Sequence, residues 1–369
     1  MSTLKVVNVQ HPSASEPSIT LDSDGGMSGG FPSPNRNLVY NGAMQVHQRG
    51  TSVVGIPVGG YYTADRWKMN VNSFGIWTQS VENDAPTGSG FRKSLKVLCR
   101  TADASPSGTD YATIIQHLEG QDLQRIAKGT ASAQQLTLSF WVKSNVTGTY
   151  SVMCFDVDNT RFTSFTYSIS ASATWEKKTI IIPADTTGAF DNDNGDSFQL
   201  YFNLGSGSTY TGGSAQTTWS GGTAFGSQWM PSQVNLAAAT DNYWQVTGVQ
   251  LETGAVATPF EFKSYGQELA ECQRYFEAKT TAGFVGGFVS KTSGVGGGGG
   301  SIFVPFLVEK RAAPILNNVN VRNANTNAIL SVAATSISTF GAHYSTSLVP
   351  GTVGDAIQIN GTVSISAEL

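Results

Sequence analysis

Leu136-Thr137-Leu138-Ser139-Phe140-Trp141-Val142-Lys143 alternates its side chains with a period of two. In an extended chain successive side chains point to opposite faces, so Leu136, Leu138, Phe140 and Val142 share one face and Thr137, Ser139, Trp141 and Lys143 take the other. That is a half-buried β-strand. Phe198-Gln199-Leu200-Tyr201-Phe202-Asn203-Leu204 repeats the logic, with Phe198, Leu200, Phe202 and Leu204 inward and Tyr201 outward.

Working outward from these two, further strands are predicted near Phe74–Ser80, Leu95–Arg100, Tyr111–Leu118, Tyr150–Val157, Phe162–Ile169, Lys178–Pro183 and Tyr243–Leu251, joined by Gly, Asn, Asp and Ser turns. Strands in such number, with no helical segment between them, predict an all-β chain built as an antiparallel sandwich, most simply a jelly roll. Composition agrees, since charged residues are 13% of the chain against about 25% in an average soluble domain. Gly is 41 of 369 residues, which suits tight turns that need positive φ, while Thr, Val, Phe and Tyr fit a pleated surface.

The flanks read differently. Residues 1–35 form an N-terminal arm: the strand-like Leu4-Lys5-Val6-Val7-Asn8-Val9 is followed by Pro12, Pro17, Pro32, Pro34 and the Gly25 to Gly30 stretch. A strand this short cannot bury its own apolar face, so any order in it is expected to come from another chain. Residues 36–263 hold the jelly roll. Ser264, with Gln267 three places on, starts an amphipathic helix over 264–279 in which Tyr265, Leu269, Cys272 and Phe276 recur on one face. The helix either docks on the sandwich or forms a seam between identical chains. Residues 280–369 pass a glycine-rich loop, Gly294 to Gly300, and return to strands near Ser301–Val308, Ile315–Val321 and Ile357–Ile365 in a small C-terminal β domain. There Lys310-Arg311-Ala312-Ala313-Pro314 reads as a hairpin connection, with Pro314 at a strand start where its missing N–H is harmless.

A net charge of -4 supplies no field that gathers nucleic acid or an anionic membrane, and neither partner is expected. The chain also lacks a signal-peptide pattern and any run of about 18 apolar residues, so membrane insertion is not expected either. Cys99, Cys154 and Cys272 are too few and too scattered for a disulfide framework or a zinc site and read as small buried groups.

Catalytic motifs fail on context. Gly26-Met27-Ser28-Gly29-Gly30 has the letters of a nucleophile elbow but lies in the Pro/Gly-rich arm, without the strand and helix that motif needs. His11, His47, His117 and His343 are isolated from one another and read as satisfied strand or loop histidines. No carboxylate pair is singled out for glycoside cleavage. No enzyme activity, cofactor or metal is therefore assigned. Asp191-Asn192-Asp193-Asn194-Gly195-Asp196 is the densest group of oxygen ligands, and it reads as a solvated turn or as a structural calcium site that misses the EF-hand spacing.

Aromatic residues are the more informative set. Trp77, Trp141 and Tyr201 fall on the face opposite the aliphatic residues of their strands, where a solvated sheet shows polar groups. Such a row either stacks on sugar rings, beside Gln79 and Asn203, or is covered by the arm, the C-terminal unit or a neighbouring chain. Trp219 and Trp229, in the Gly/Ser-rich stretch 209–234, are loop alternatives for carbohydrate binding, and at least one is expected to lid the core.

Seven phrases occur in order: Asn41-Gly42 leading to Gln48-Arg49-Gly50-Thr51; Tyr62-Thr63-Ala64-Asp65-Arg66-Trp67; Leu138-Ser139-Phe140-Trp141-Val142-Lys143; Trp175-Glu176-Lys177; Val249-Gln250-Leu251-Glu252; Pro259-Phe260-Glu261; and Cys272-Gln273-Arg274-Tyr275. Over residues 36–279 they resemble the carbohydrate-binding-module-like jelly-roll domain of bacteriophage tail fibres and other virion structural proteins, as found in phages of marine bacteria and cyanobacteria. The start, through Leu4, Val6, Val7 and Val9, looks like the arm that attaches such proteins to the particle, and Ile365 to Leu369 resembles their C-terminal unit.

The resemblance implies a virion protein, assembled in the bacterial cytoplasm, whose arm binds other virion proteins. It implies self-association, often as a homotrimer, and a jelly roll that meets host-surface polysaccharide. A capsid-decorating or neck protein without glycan binding is the first alternative, and a polysaccharide depolymerase the second.

Overall fold

The computed structural model describes residues 35–221, 226–281, 287–290, 299–317, 319–323, 329–330, 332–346, 356–359 and 361–369, together with the backbone of three short strands before residue 35. Two antiparallel sheets face each other. The first has the strand order Glu176–Ile182, Leu136–Ser144, Tyr243–Thr253, Ser94–Thr101, Ile76–Glu82, Ser52–Ile56. The second runs Ser220–Gly221, Arg161–Ile169, Gly148–Asp156, Asp196–Ser206, Tyr111–Glu119, Lys68–Asn72, Gly60–Tyr61. The chain crosses between sheets after Ser94–Thr101, Tyr111–Glu119 and Leu136–Ser144 in succession, then again after Arg161–Ile169 and Glu176–Ile182. Sheet neighbours are therefore mostly remote in sequence, which is the Greek-key character of a jelly roll.

The Leu136–Ser144 strand is paired on both sides, Leu138 lying opposite Ile180 and Leu251. Its inward residues Leu138, Phe140 and Val142 are wholly buried and meet Phe198, Leu200 and Phe202 of the second sheet. The rings of Phe140 and Phe202 stand edge to face, 5.1 Å apart at 83°. Burying such a ring contributes roughly 1.5–3 kcal/mol, and the edge-to-face contact adds to it.

One strand departs from its expected phase. The run predicted from Phe74 begins at Ile76, because Ser73 (φ 48°) and Gly75 (φ 65°) turn the chain just before it. Counting from Phe74 puts Trp77 and Gln79 outside, but both are fully buried. Trp77 stacks on Phe74 and donates from Nε1 to the Phe74 carbonyl at 2.7 Å.

The helix spans Tyr265–Gln273, and the Ser264 hydroxyl accepts the Gln267 N–H at 3.3 Å. It ends six residues before the expected 279, since Arg274 and Tyr275 lead into the strand Phe276–Thr281. It docks on the sandwich: Cys272 and Glu268 are buried, and the Glu268 carboxylate accepts the Asn41 N–H. Tyr265, expected on the apolar face, is exposed. All three cysteines are buried and unbridged.

Beyond the helix, Phe276–Thr281, Gly361–Ser366 and Ile315–Asn317 form a three-stranded sheet. A larger sheet follows, in which Gly299–Pro305 pairs with Gly341–Thr346. Ile302, Val304, Val321, Tyr344, Ile359, Val363 and Ile365 make a second apolar cluster. Pro314 does precede a strand, but Gly299–Pro305 and Ile315–Asn317 lie in different sheets, so Lys310–Pro314 is a crossover and not a hairpin. Lys310 pins that crossover from inside, donating to Glu277 Oε2 at 2.8 Å and to the Gln273 carbonyl at 2.5 Å.

In the arm, Asn8–Val9, Ile19–Leu21 and Met27–Ser28 pair with one another, Val9 opposite Ile19. This pairing is made within the chain, whereas the sequence suggested that order there needs a second chain. Leu4, Val6 and Val7 lie outside the described residues.

Candidate functional site

The five aromatic residues singled out in the sequence do not form a row. Trp77 is inside the sandwich, in the phase set by the turn at Gly75. Tyr201 does face away from the core, yet it is covered by the chain's own excursion between residues 207 and 235. That excursion lays Trp229 across it, with ring centroids 5.7 Å apart, and adds Tyr210 and Met230 to a satellite cluster with Ile115, Met153 and Phe162. Asn203, expected at the surface, is buried there and donates to Ser151 Oγ at 2.9 Å. Trp229 is thus the lid. Trp219 packs half-buried against the end of the core and donates to the Pro183 carbonyl at 2.8 Å. Trp141 also keeps its expected place and stays accessible, half-buried on the outer face of the first sheet, opposite Lys177 and Thr247.

Residues of the first, second and last of the quoted phrases meet at another place, a seam between the jelly roll, the helix exit and the C-terminal residues. Arg66 is wholly enclosed, its guanidinium 3.4 Å from the centre of the Tyr275 ring, and it donates to the His117 carbonyl at 2.6 Å. Arg49 lies 3.4 Å over the Phe276 ring. The Glu368 carboxylate joins the two, at 2.5 Å from Arg66 and 2.9 Å from Arg49. Asn41 holds the carbonyls of Val46 and Asp65 at 2.7 and 3.0 Å, and Arg274 clamps Glu119 through two bonds at 2.9 and 2.8 Å. The Asn35 and Asn37 amides are held by the Glu261 carboxylate. These side chains are internal fasteners.

Beside this seam opens a cleft of about 380 Å³, formed where the chain enters the jelly roll, where the short 3-10 turns Gly120–Asp122 and Gln124–Ile126 follow a strand, and where the helix passes. Tyr40 is the one aromatic residue in its lining. The Tyr40 hydroxyl donates to Asp122, its backbone is fixed on both sides by the Gln116 amide at 2.8 Å, and the Lys263 ammonium stands 5.8 Å over its ring. Lys263 also pairs with Glu271 at 2.7 Å, and Gln267 donates to the other Glu271 oxygen at 3.2 Å. Arg125 closes the rim by donating to the carbonyls of Asn35 and Arg36.

Burial sets the electrostatics of this cleft. It raises the Tyr40 phenol far above its ordinary value, with Tyr275 and Asp122 adding to the effect. It also raises the Asp122 carboxyl, against the pull of the Tyr40 hydroxyl, and lowers the Arg125 guanidinium. The two acids are committed to Tyr40 and to Lys263, and the neighbouring amides, the Lys263 ammonium and the Asn35 and Arg36 carbonyls each already hold one partner. A ligand meets their spare protons and lone pairs around an aromatic ring, within the roughly 300–1,000 Å³ typical of small-ligand pockets. The cleft's residues come from three separate segments with no local motif, and none of them belongs to the quoted sequence phrases.

The turn Asp191–Asp196 sends its acids to different partners. Asp193 accepts its own Gly195 N–H at 2.8 Å, and Asp196 reaches His117 Nδ1 at 2.7 Å. Among the described residues no group of three or more His, Cys, Asp or Glu side chains is arranged to hold a metal ion.

No protein-family model matches the chain, and no curated protein matches it either. Solved structures do. The enzymatically active domain of bacteriophage CBA120 tailspike protein 4 is 14% identical over 60% of this chain, with a TM-score of 0.32; the match spans 22% of that chain. A family 11 carbohydrate-binding module of a cellulosomal cellulase of Clostridium thermocellum is 11% identical over 56% of this chain and 96% of its own, with a TM-score of 0.29. A putative sugar binding protein from Bacteroides thetaiotaomicron is 12% identical over 59% of this chain and 100% of its own, with a TM-score of 0.32.

Proposed function

We propose that the protein is a host-attachment subunit of a phage particle, a fibre or appendage component held by its N-terminal arm and presenting the jelly roll to surface glycans. The observation that carries this reading is the cleft over Tyr40. A sugar offers hydroxyl groups at its edge and an apolar face on its ring, and the cleft pairs hydrogen-bonding groups with an aromatic surface in the same way. Its acids are engaged, Asp122 by Tyr40 and Glu271 by Lys263, which suits holding a chain rather than cleaving it. No catalytic role is assigned. Affinity at one such site is modest, and several copies on one particle, three in a homotrimer, multiply it. The seven ordered phrases support the virion setting.

The test is titration calorimetry of the purified protein against host-surface polysaccharide, with Lys263→Ala as the variant. Binding is expected to weaken at least ~10-fold, the scale of a lost charge-assisted contact. Absence of binding by the native chain to any polysaccharide from the host sinks the reading, and release of reducing ends identifies a depolymerase instead.

A purely structural role, in a neck or on a capsid, is favoured by a different observation. Tyr201 and Trp229 are covered by the chain itself, and the shared phrases fasten a seam rather than line a surface. That reading gains if particles carrying Lys263→Ala adsorb to cells as the native ones do.

A further inference from the structure

Lys310 and Glu277 form an ion pair without a surface, since both side chains are wholly buried. Its bonding is lopsided. Glu277 Oε2 accepts twice, from the Lys310 ammonium at 2.8 Å and from the Leu307 N–H at 3.0 Å, while Oε1, equally buried, has no donor among the described residues. The ammonium reaches one further acceptor, the Gln273 carbonyl at 2.5 Å, so its three protons serve two acceptors. Taking two charges out of water is costly, and an unmatched lone pair and proton leave that cost least repaid. Nor can the partners draw apart. Glu277 lies in the strand Phe276–Thr281, opposite Ile365, the Lys310 N–H donates to the Thr339 carbonyl at 2.8 Å, and the Phe306 ring stands 5.4 Å from Nζ. The buried pair Lys128–Asp156 shows the contrast. There the ammonium also donates to the Thr187 and Gly188 carbonyls and the carboxylate also accepts from Asn159, so both ions are matched.

We propose that Lys310 and Glu277 condense in the folded protein, forming an amide bond between Lys310 Nζ and Glu277 Cδ. One ammonium proton passes to Oε1, which leaves a free amine beside a neutral carboxylic acid. The nitrogen adds to Cδ, a second proton moves from it to the departing hydroxyl, and the Cδ–Oε1 bond breaks to release water. A cation and an anion thus become a neutral amide and one water, with no oxidant or co-reactant. Burial prepares the first step, because it lowers the Lys310 ammonium toward its free amine. Contact at 2.8 Å between two held groups replaces a bimolecular encounter, and such placement reaches effective molarities of about 10⁵–10⁸ M. The product matches every polar atom. Oε2 becomes the amide carbonyl and keeps the Leu307 N–H, the amide N–H keeps the Gln273 carbonyl, and the orphaned Oε1 is the atom that leaves. The bond closes residues 277–310 into a loop and restricts the unfolded chain as a disulfide does, in a chain whose three cysteines are unbridged.

The experiment is mass spectrometry of the full native chain, first denatured and then digested with trypsin. The denatured chain should weigh one water less than its sequence. Peptides 275–279 and 292–311 should travel as one species, because trypsin does not cut after an acylated lysine. Lys310→Arg keeps the charge without the nucleophile, and it should show the full sequence mass and release 275–279 alone. The native digest decides by itself if that variant does not fold. A native chain at its full sequence mass overturns the proposal, as does release of 275–279 unlinked from the native chain, and so does a lost water that persists in Lys310→Arg.

Discussion

Glu368 holds Arg66 inside the protein. Its carboxylate sits 2.5 Å from a guanidinium that has no exposed surface, and its second oxygen reaches Arg49 at 2.9 Å. Arg66 in turn is stacked on Tyr275, so one acid just past the C-terminal strand closes a contact between the helix exit and the jelly roll. Glu368→Ala leaves Arg66 buried without a counter-charge, and the loss should be about 3–5 kcal/mol in urea unfolding. A loss within about 0–1 kcal/mol, the range of exposed pairs, would show that solvent reaches the pair.

Asp65 should make stability fall as pH rises. It accepts from the Gln48 backbone and side chain at 3.1 and 2.5 Å, and Arg49 lies 3.5 Å away. Burial outweighs these and pushes its carboxyl up to about 6. The folded chain therefore binds this proton more tightly than the unfolded chain, whose aspartates titrate near ~4. The contribution is fully present below the unfolded value and is lost as pH rises through the folded one. Asp65→Asn has no such proton to lose, and should gain on the native chain by roughly 2–3 kcal/mol between pH 4 and pH 7. Unfolding curves at the two pH values check this, and an unchanged difference shows Asp65 ionised throughout.

Two tryptophans that look alike in the sequence should respond very differently. Trp229 is 1% exposed and meets Tyr111, Tyr201 and Tyr210 with centroids between 4.8 and 5.7 Å. Trp229→Ala should cost about 3–5 kcal/mol. Trp141 is half-buried on an outer face, and Trp141→Ala should cost under ~1.5 kcal/mol. Chemical denaturation of both variants gives the comparison, and equal losses contradict the lid.

Gly42 has no room for a side chain. A Cβ there falls 2.1 Å from the Val249 carbonyl oxygen, while the Gly42 carbonyl accepts the Val249 N–H at 3.0 Å. Gly42→Ala should cost about 1–3 kcal/mol or more by forcing these backbones apart. A lowered denaturation midpoint checks it, and a neutral result means that the entering segment moves freely.

The architecture was legible wherever a strand has two faces with different fates. Leu136–Lys143 and Phe198–Leu204 fell inside their observed strands with every inward residue correct, because alternation reports burial directly. The same alternation failed at Trp77, where two positive-φ residues reset the phase and left no mark on the hydrophobic pattern. It also could not show that Tyr201 is covered, since the cover is a Gly/Ser-rich excursion that carries no periodic signal of its own.

The candidate cleft and the seam were illegible for a different reason. Tyr40 meets Asp122 across 82 positions, and Arg66 meets Glu368 across 302. Polar residues at such separations look like ordinary surface until the fold brings them together. The phrases containing Arg49, Asp65, Arg66 and Arg274 were recognisable as a set, yet their common purpose, fastening the helix and the last strand to the sandwich, appears only in three dimensions.

The Arg66–Glu368 pair also sets a clock on synthesis. At about 5–20 residues per second, roughly 15–60 s separate the appearance of the two residues on the ribosome, given the 302 positions between them. Throughout that interval a nascent jelly roll carries an arginine that it cannot bury, so the sandwich stays unfinished until the distal strand arrives. A chain that stops short of Glu368 keeps that arginine without its counter-charge, and carries the cost of an unpaired buried ion.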